Sequence, residues 1–129
     1  MAEPAAVQVV RAGQRLTAVP VTPGMHREVA FDHDGVWAGT VTTGAGLLTG
    51  WHLHPGHDTY IYVESGAAVV EYGPGGTLAD DAGPGDFMLI PRGVVHREGT
   101  AAGSQGVRAV LVRVGSGPII ENRDGPDPA

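Results

Sequence analysis

Short apolar runs broken by glycine, proline and aspartate recur along the whole chain, and none holds the three-and-four apolar spacing of a helix over ten residues. The runs VQVVRA (7–12), HREVAF (26–31), VWAGTVTT (36–43), LLTGWHLH (47–54), TYIYVES (59–65), AAVVEY (67–72), FMLIP (87–91), VVHRE (94–98) and VRAVLVRVG (107–115) are rich in β-formers. The first three are expected to pair as an antiparallel set, with DHDG turning the second into the third, and residues 47–72 to form consecutive hairpins. LADDA (78–82) lies between the turns GPGGT and GPGD. VRAVLVRVG alternates less cleanly, as a strand buried on both faces would. Residues 11–19 hold only a weak helical possibility. About nine to eleven short strands with turn signals every 8 to 12 residues predict an all-β domain, a sandwich or a barrel closed on itself.

Composition narrows this further. At 129 residues the chain has the mass for one core, so residues 1–129 are expected to form a single domain. MAEPAA (1–6) and the Pro-bearing 122–129 are expected to be loose. The 21 Gly and 10 Pro supply turns, and with 42% hydrophobic and 17% charged residues they do not signal disorder. A net charge of −6 argues against nucleic acid or an anionic membrane as a partner, because both require clustered basic residues. The sequence has no cysteine, so disulfides and thiolate metal sites are excluded and soft-ligand chemistry falls to imidazole. No signal-peptide pattern and no apolar run of about 20 residues is present, which sets the expected location as cytoplasmic.

Three of the six histidines fall in GWHLHPGHDTYIYVESG (50–66). In a strand, His52 and His54 share a face while Trp51 and Leu53 take the other, so two imidazoles sit side by side at a reach that suits one metal ion. An H-x-H pair alone is weak evidence. A third histidine, His96, follows GDFMLIPRGVV, whose turns can return the chain toward the pair. Together these residues resemble the two motifs of the cupin superfamily. The first motif is matched at Gly46, His52, His54 and Gly66, the second at Gly85, Pro91, Gly93 and His96, with 18 residues between them. The resemblance covers about residues 46–100. It implies a single-domain β-barrel of jelly-roll type with one divalent transition metal ion inside, held by His52, His54 and His96.

Two positions depart from the family pattern. Thr59 stands where the first motif has a Glu ligand, and Thr100 where the second ends in Asn. A hydroxyl is a poor substitute for a carboxylate on a divalent ion. His57, in the PGHD turn, is expected to complete a four-imidazole site, with Asp58 or water as alternatives and an exposed turn residue as the competing reading of His57. A metal-free, hydrogen-bonded histidine cluster is the corresponding alternative for the other three. Glu98 shares strand parity with His96 and could act as a general base or orient a ligand, although an exposed carboxylate beside Arg97 is the reading its neighbours favour. Tyr60 and Tyr62 are expected on the outer face of their strand, and Trp37 and Trp51 in packing. GPGG and GPGD open no helix and carry no Lys, so they read as turns rather than phosphate cradles.

The functional expectation is a metal-dependent enzyme acting on a small organic substrate, aromatic or polyketide-like, inside the barrel. Iron would suit dioxygenation, and zinc, nickel or manganese would suit cyclisation or isomerisation; imidazole accepts all four ions. The alternative is a non-catalytic module that binds a metal or small ligand. A homodimer is expected, with VQVV and VWAGTV offering strand edges.

Overall fold

The computed structural model describes residues 5–19 and 21–128. Its strands, in chain order, are β1 (Leu16–Thr17), β2 (Met25–His33), β3 (Val36–Gly44), β4 (His52–Leu53), β5 (His57–Gly66), β6 (Ala68–Tyr72), β7 (Leu78–Ala82), β8 (Phe87–Ile90), β9 (His96–Thr100), β10 (Gly106–Gly115) and β11 (Glu121–Asn122). They form a six-stranded sheet, β1-β2-β3-β10-β5-β8, and a five-stranded sheet, β11-β4-β9-β6-β7, in which every strand pair is antiparallel. The expected all-β class is observed, and the two sheets face each other as a jelly roll. Among the described residues the two sheets remain separate hydrogen-bonded units.

Antiparallel pairing with one face buried explains the alternation along the long strands. In β5, His57, Thr59, Ile61 and Val63 are buried while Tyr60 and Glu64 are exposed. Val63, Ile61, Leu111, Ala109 and Val41 from one sheet meet Val70 and Ala82 from the other in a single apolar core. The core occupies one end of the space between the sheets, and the histidines occupy the other.

Several expected elements differ. Residues 7–11 form no strand and are exposed apart from half-buried Val10, and 12–14 make one turn of 3₁₀ helix; the strand that pairs with β2 on its outer side is Leu16–Thr17. The consecutive hairpins over 47–72 are not formed, because β4 and β6 belong to one sheet and β5 to the other. Gly66 makes the change of sheet possible: it has φ 75°, and an added Cβ would run into the Gly106 carbonyl oxygen. The strand β10 is not buried on both faces; Val107, Ala109, Leu111 and Arg113 point inward, while Val110 and Val112 on the other side are half-buried. Its alternation was hidden because valines occupy both faces.

The C-terminal segment is not loose. The strand β11 pairs with β4, Arg123 N–H donates to the Trp51 carbonyl (3.0 Å), and Gly75 N–H donates to the Asp127 carbonyl (2.8 Å). The first four residues of the N-terminus expected to be loose, and Ala129, lie outside the described residues. Among the described residues no helix is long and apolar enough to cross a membrane.

Candidate metal centre

The site begins with one cross-strand pair. His52 on β4 stands directly opposite His96 on β9, and their rings approach to 4.3 Å between centroids. His54, two residues beyond His52, keeps to the same face, with its ring 5.2 Å from that of His52 and 5.3 Å from that of His96. The Pro91-Arg92-Gly93 turn is tied to this segment, as Gly93 N–H donates to the His54 carbonyl (3.0 Å). The two histidine segments are thereby locked to each other by backbone before any ion is considered.

Hydrogen bonds then fix each imidazole. His52 Nδ1 bonds the Gly50 carbonyl (2.9 Å), His54 Nδ1 the Ile119 carbonyl (2.6 Å) and His96 Nδ1 the Val94 carbonyl (2.9 Å). A carbonyl oxygen only accepts, so each ring carries its proton on Nδ1 and its lone pair on Nε2. All three rings are buried, and among the described residues His96 Nε2 has no hydrogen-bond partner. One nitrogen from each ring lies within 4.8 Å of the others. Three neutral nitrogens with free lone pairs, oriented by carbonyls on their far side, are the donor set that a late first-row divalent ion takes.

Burial also sets the charge state. It pushes His54 down to about 4, the Ile119 carbonyl only partly opposing, and it is the first cause that lowers His52 as well, against the raising effects of the Gly50 carbonyl and Glu98. The His52 and His54 rings are therefore neutral at pH 7, and the approach of His52 to Glu98 is not an ion pair there. In metal-free protein this gives a pH dependence of stability. The unfolded chain binds a proton at each histidine near pH 6.5, whereas folded His54 resists until about pH 4, so between these values the unfolded state holds more protons. Stability is fully present above about pH 6.5 and falls as pH drops toward 4, by roughly 2–3 kcal/mol from His54 alone at pH 4.5. Urea unfolding of chelator-treated protein at pH 7 and pH 4.5 measures this; equal stability at the two pH values would contradict it.

Glu98 corrects the reading its neighbours favoured. Its side chain is 17% exposed and faces the cluster, with carboxylate oxygens 3.8 Å from His52 Nε2 and 3.9 Å from His96 Nε2. Arg97, next to it, turns to the opposite face, where it pairs with Glu71 (2.8 Å) and stacks on Trp51 (4.5 Å). Glu98 thus brings one negative charge to the two free nitrogens.

His57 is buried, as a ligand would be, but it is not drawn into the converging group, and its Nδ1 is left without a partner. It belongs to β5, opposite Gly115, whereas His52 and His96 belong to the other sheet. Asp58 is excluded from the interior, because its carboxylate accepts from Arg92 at both the backbone N–H (2.9 Å) and the guanidinium (3.0 Å). Thr59 is buried with its hydroxyl unpartnered, and Thr100 donates to the Gly44 carbonyl (2.7 Å), a structural task. His26 and His33 are exposed on β2, outside the site. Trp51 packs outside as expected. Trp37 is buried on the inner face of β3 and lines a cavity of about 150 Å³ together with His54, Arg27, Arg113 and Ile119. Arg113 and Ile119 were not anticipated. No local motif marks a backbone carbonyl 65 residues from the histidine it orients.

Residues 38–113 match the family model of the cupin domain. The chain belongs to the cupin family. Solved structures agree on the fold. KdgF from Halomonas sp. superposes with a TM-score of 0.67 at 22% identity, over 86% of this chain and 96% of that one. An uncharacterized conserved protein with a double-stranded β-helix domain from Klebsiella pneumoniae gives 0.66 at 19% identity, over 80% and 87%. A mutant of oxalate decarboxylase OxdC of Bacillus subtilis gives 0.65 at 16% identity, over 79% of this chain and 29% of that one. Among curated proteins, sequence comparison finds no match. This cupin differs from the family's motif pattern at the carboxylate position, where β5 presents Thr59 and the carboxylate near the histidines comes from β9 instead.

Proposed function

We propose that this cupin is a metal-dependent enzyme that acts on a small organic substrate held between its sheets, by dioxygenation or by Lewis-acid cyclisation or isomerisation. The observation that carries the reading is the convergence of three Nε2 lone pairs fixed by three Nδ1 bonds to carbonyls. His52, His54 and His96 would hold one divalent ion, and Glu98 would stand beside it. Such an ion, when bound, polarises a substrate oxygen and lowers the cost of negative charge developing there. The chain's own residues do the rest. Burial excludes bulk water from the three rings, the carbonyls of Gly50, Val94 and Ile119 keep them aimed, and the Glu98 carboxylate is placed to accept a proton released by the substrate. A cytoplasmic setting is part of this reading.

Elemental analysis of the protein purified in chelator-free buffer tests the proposal. One iron, zinc, nickel or manganese per chain supports it, and metal-free protein that takes up none opposes it. Oxygen consumption with aromatic and enolisable compounds then separates dioxygenation from oxygen-independent turnover. A full metal complement with no turnover of either class would make the chain a binding module.

A homodimer is also proposed, on a different surface from the one the sequence suggested. The strand β3 is paired on both sides, by β2 and β10, and has no edge to offer. The edge strand β8 and its neighbour β5 instead present Tyr60 beside Leu89 and Tyr62 beside Phe87 on the outer face, with Phe87 78% exposed. Light scattering should give a dimer that Phe87→Glu dissociates; a monomeric wild type would contradict this.

A further inference from the structure

Across the inner face of the six-stranded sheet, one row of residues runs from Trp37 on β3 through Arg113 on β10 to Thr59 on β5. Arg113 is only 8% exposed, and among the described residues it makes no ion pair and no side-chain hydrogen bond, with its Nε left buried and unpartnered. Its guanidinium lies over the Trp37 ring at 5.5 Å. Thr59, opposite it in register, is 2% exposed and its hydroxyl is equally orphaned. His57, on the same face of β5 two residues earlier, leaves Nδ1 unpartnered as well. Three buried polar groups without partners on adjoining positions are rare in a folded protein, since each costs free energy unless something completes it.

The cation is the decisive member. Arg113 and Arg27 line the 150 Å³ cavity that reaches His54, and the same two arginines also line the neighbouring cavity that contains Glu98. Arg27 is bound to the Thr22 hydroxyl (3.1 Å) and the Met25 sulfur (3.5 Å) rather than to an acid. Two guanidinium groups thus face one interior carboxylate, Glu98, which leaves an excess positive charge before any metal ion is added. Burial lowers the Arg113 pKa from its ordinary value, with Glu98 opposing, which is the signature of a charge removed from water without full compensation. A guanidinium fork matches a carboxylate in two parallel hydrogen bonds. The volume is of the order that accommodates a benzene-sized molecule.

We propose that Arg113, with Thr59 and His57 beside it, is a carboxylate-binding subsite, so that the substrate of this cupin is a small organic acid whose carboxylate docks on Arg113 while its reacting end lies toward His54. Thr59 stands opposite Arg113 in register, so that strand sets no carboxylate against the guanidinium. The inference rests on the metal-centre reading only for the direction in which the acid points.

Calorimetric titration of the zinc-loaded protein with benzoate and with benzamide, its neutral counterpart of the same shape, tests the subsite. Benzoate should bind at least about tenfold more tightly than benzamide. Arg113→Met should remove that preference while zinc stoichiometry stays at the wild-type value, and Arg113→Lys should keep the preference at reduced affinity, having the charge without the fork. Arg113→Gln, a second neutral replacement that keeps a polar end, should likewise remove the preference and gives a second route should Arg113→Met not fold. Equal affinities for benzoate and benzamide, no binding of either, or a benzoate preference retained in Arg113→Gln would overturn the proposal. Should the wild type take up no zinc, the metal-centre reading fails by itself, and the same benzoate and benzamide comparison on metal-free protein still decides the subsite.

Discussion

His96→Ala removes stoichiometric binding of a divalent transition ion, weakening zinc by at least about 100-fold in competition with a chelator. Losing a group that merely orients a ligand already costs about 10–100-fold in affinity, so loss of a ligand lies at or beyond the top of that range. His96 is the most sensitive of the three because it is fully buried, and its Nε2 has no hydrogen-bond partner among the described residues. The same orphaned nitrogen limits the effect on folding. Deleting the ring opens a small cavity but also removes an uncompensated polar atom, so the chelator-treated variant should lie within about 2 kcal/mol of the wild type. Elemental analysis and urea unfolding of the same samples separate the two effects. A variant that still binds one zinc with wild-type affinity would show that the ion, if any, sits elsewhere.

Glu98→Gln should weaken the same ion by about 10–100-fold without altering its stoichiometry. Glutamine keeps the shape and removes the charge. The donor set otherwise consists of neutral imidazoles, and the nearby charges from Arg113 and Arg27 are positive, so the single carboxylate at 3.8 and 3.9 Å from two of the free nitrogens carries most of the local attraction for a dication. Chelator competition at two salt concentrations checks the mechanism as well as the size. The wild-type advantage should persist at high salt, because a carboxylate this shielded is little screened. An affinity unchanged in Glu98→Gln would assign Glu98 to proton handling alone.

What the sequence made legible follows the range of the physics involved. The pairing of His52 with His54 depends on strand parity alone, and the arrival of His96 on two glycine turns and a proline, all visible locally. Tyr60 and Tyr62 were placed outward by the same parity. Glu98 has the right parity too, but its direction is not legible locally, because the partners that draw Arg97 away, Glu71 and Trp51, are distant in sequence. Arg113 was hidden for another reason. In a strand with valine on both faces nothing local shows that the arginine, rather than a valine, points inward, and only its pairing with Trp37 and Thr59 decides it. Ile119 acts through its carbonyl, which every residue possesses, so its role depends wholly on where β11 brings the chain. The change of sheet at Gly66 has no local mark either, since a glycine between two β-rich runs reads equally as a hairpin turn or as a crossover.

The most direct measurement is anomalous diffraction from a crystal of the zinc-loaded protein, collected on both sides of the zinc edge. The account predicts one strong peak about 2.1 Å from the Nε2 atoms of His52, His54 and His96 together, with all three Nδ1 atoms still bonded to their carbonyls. A peak confined to exposed His26 or His33, or no peak between the sheets, would contradict it.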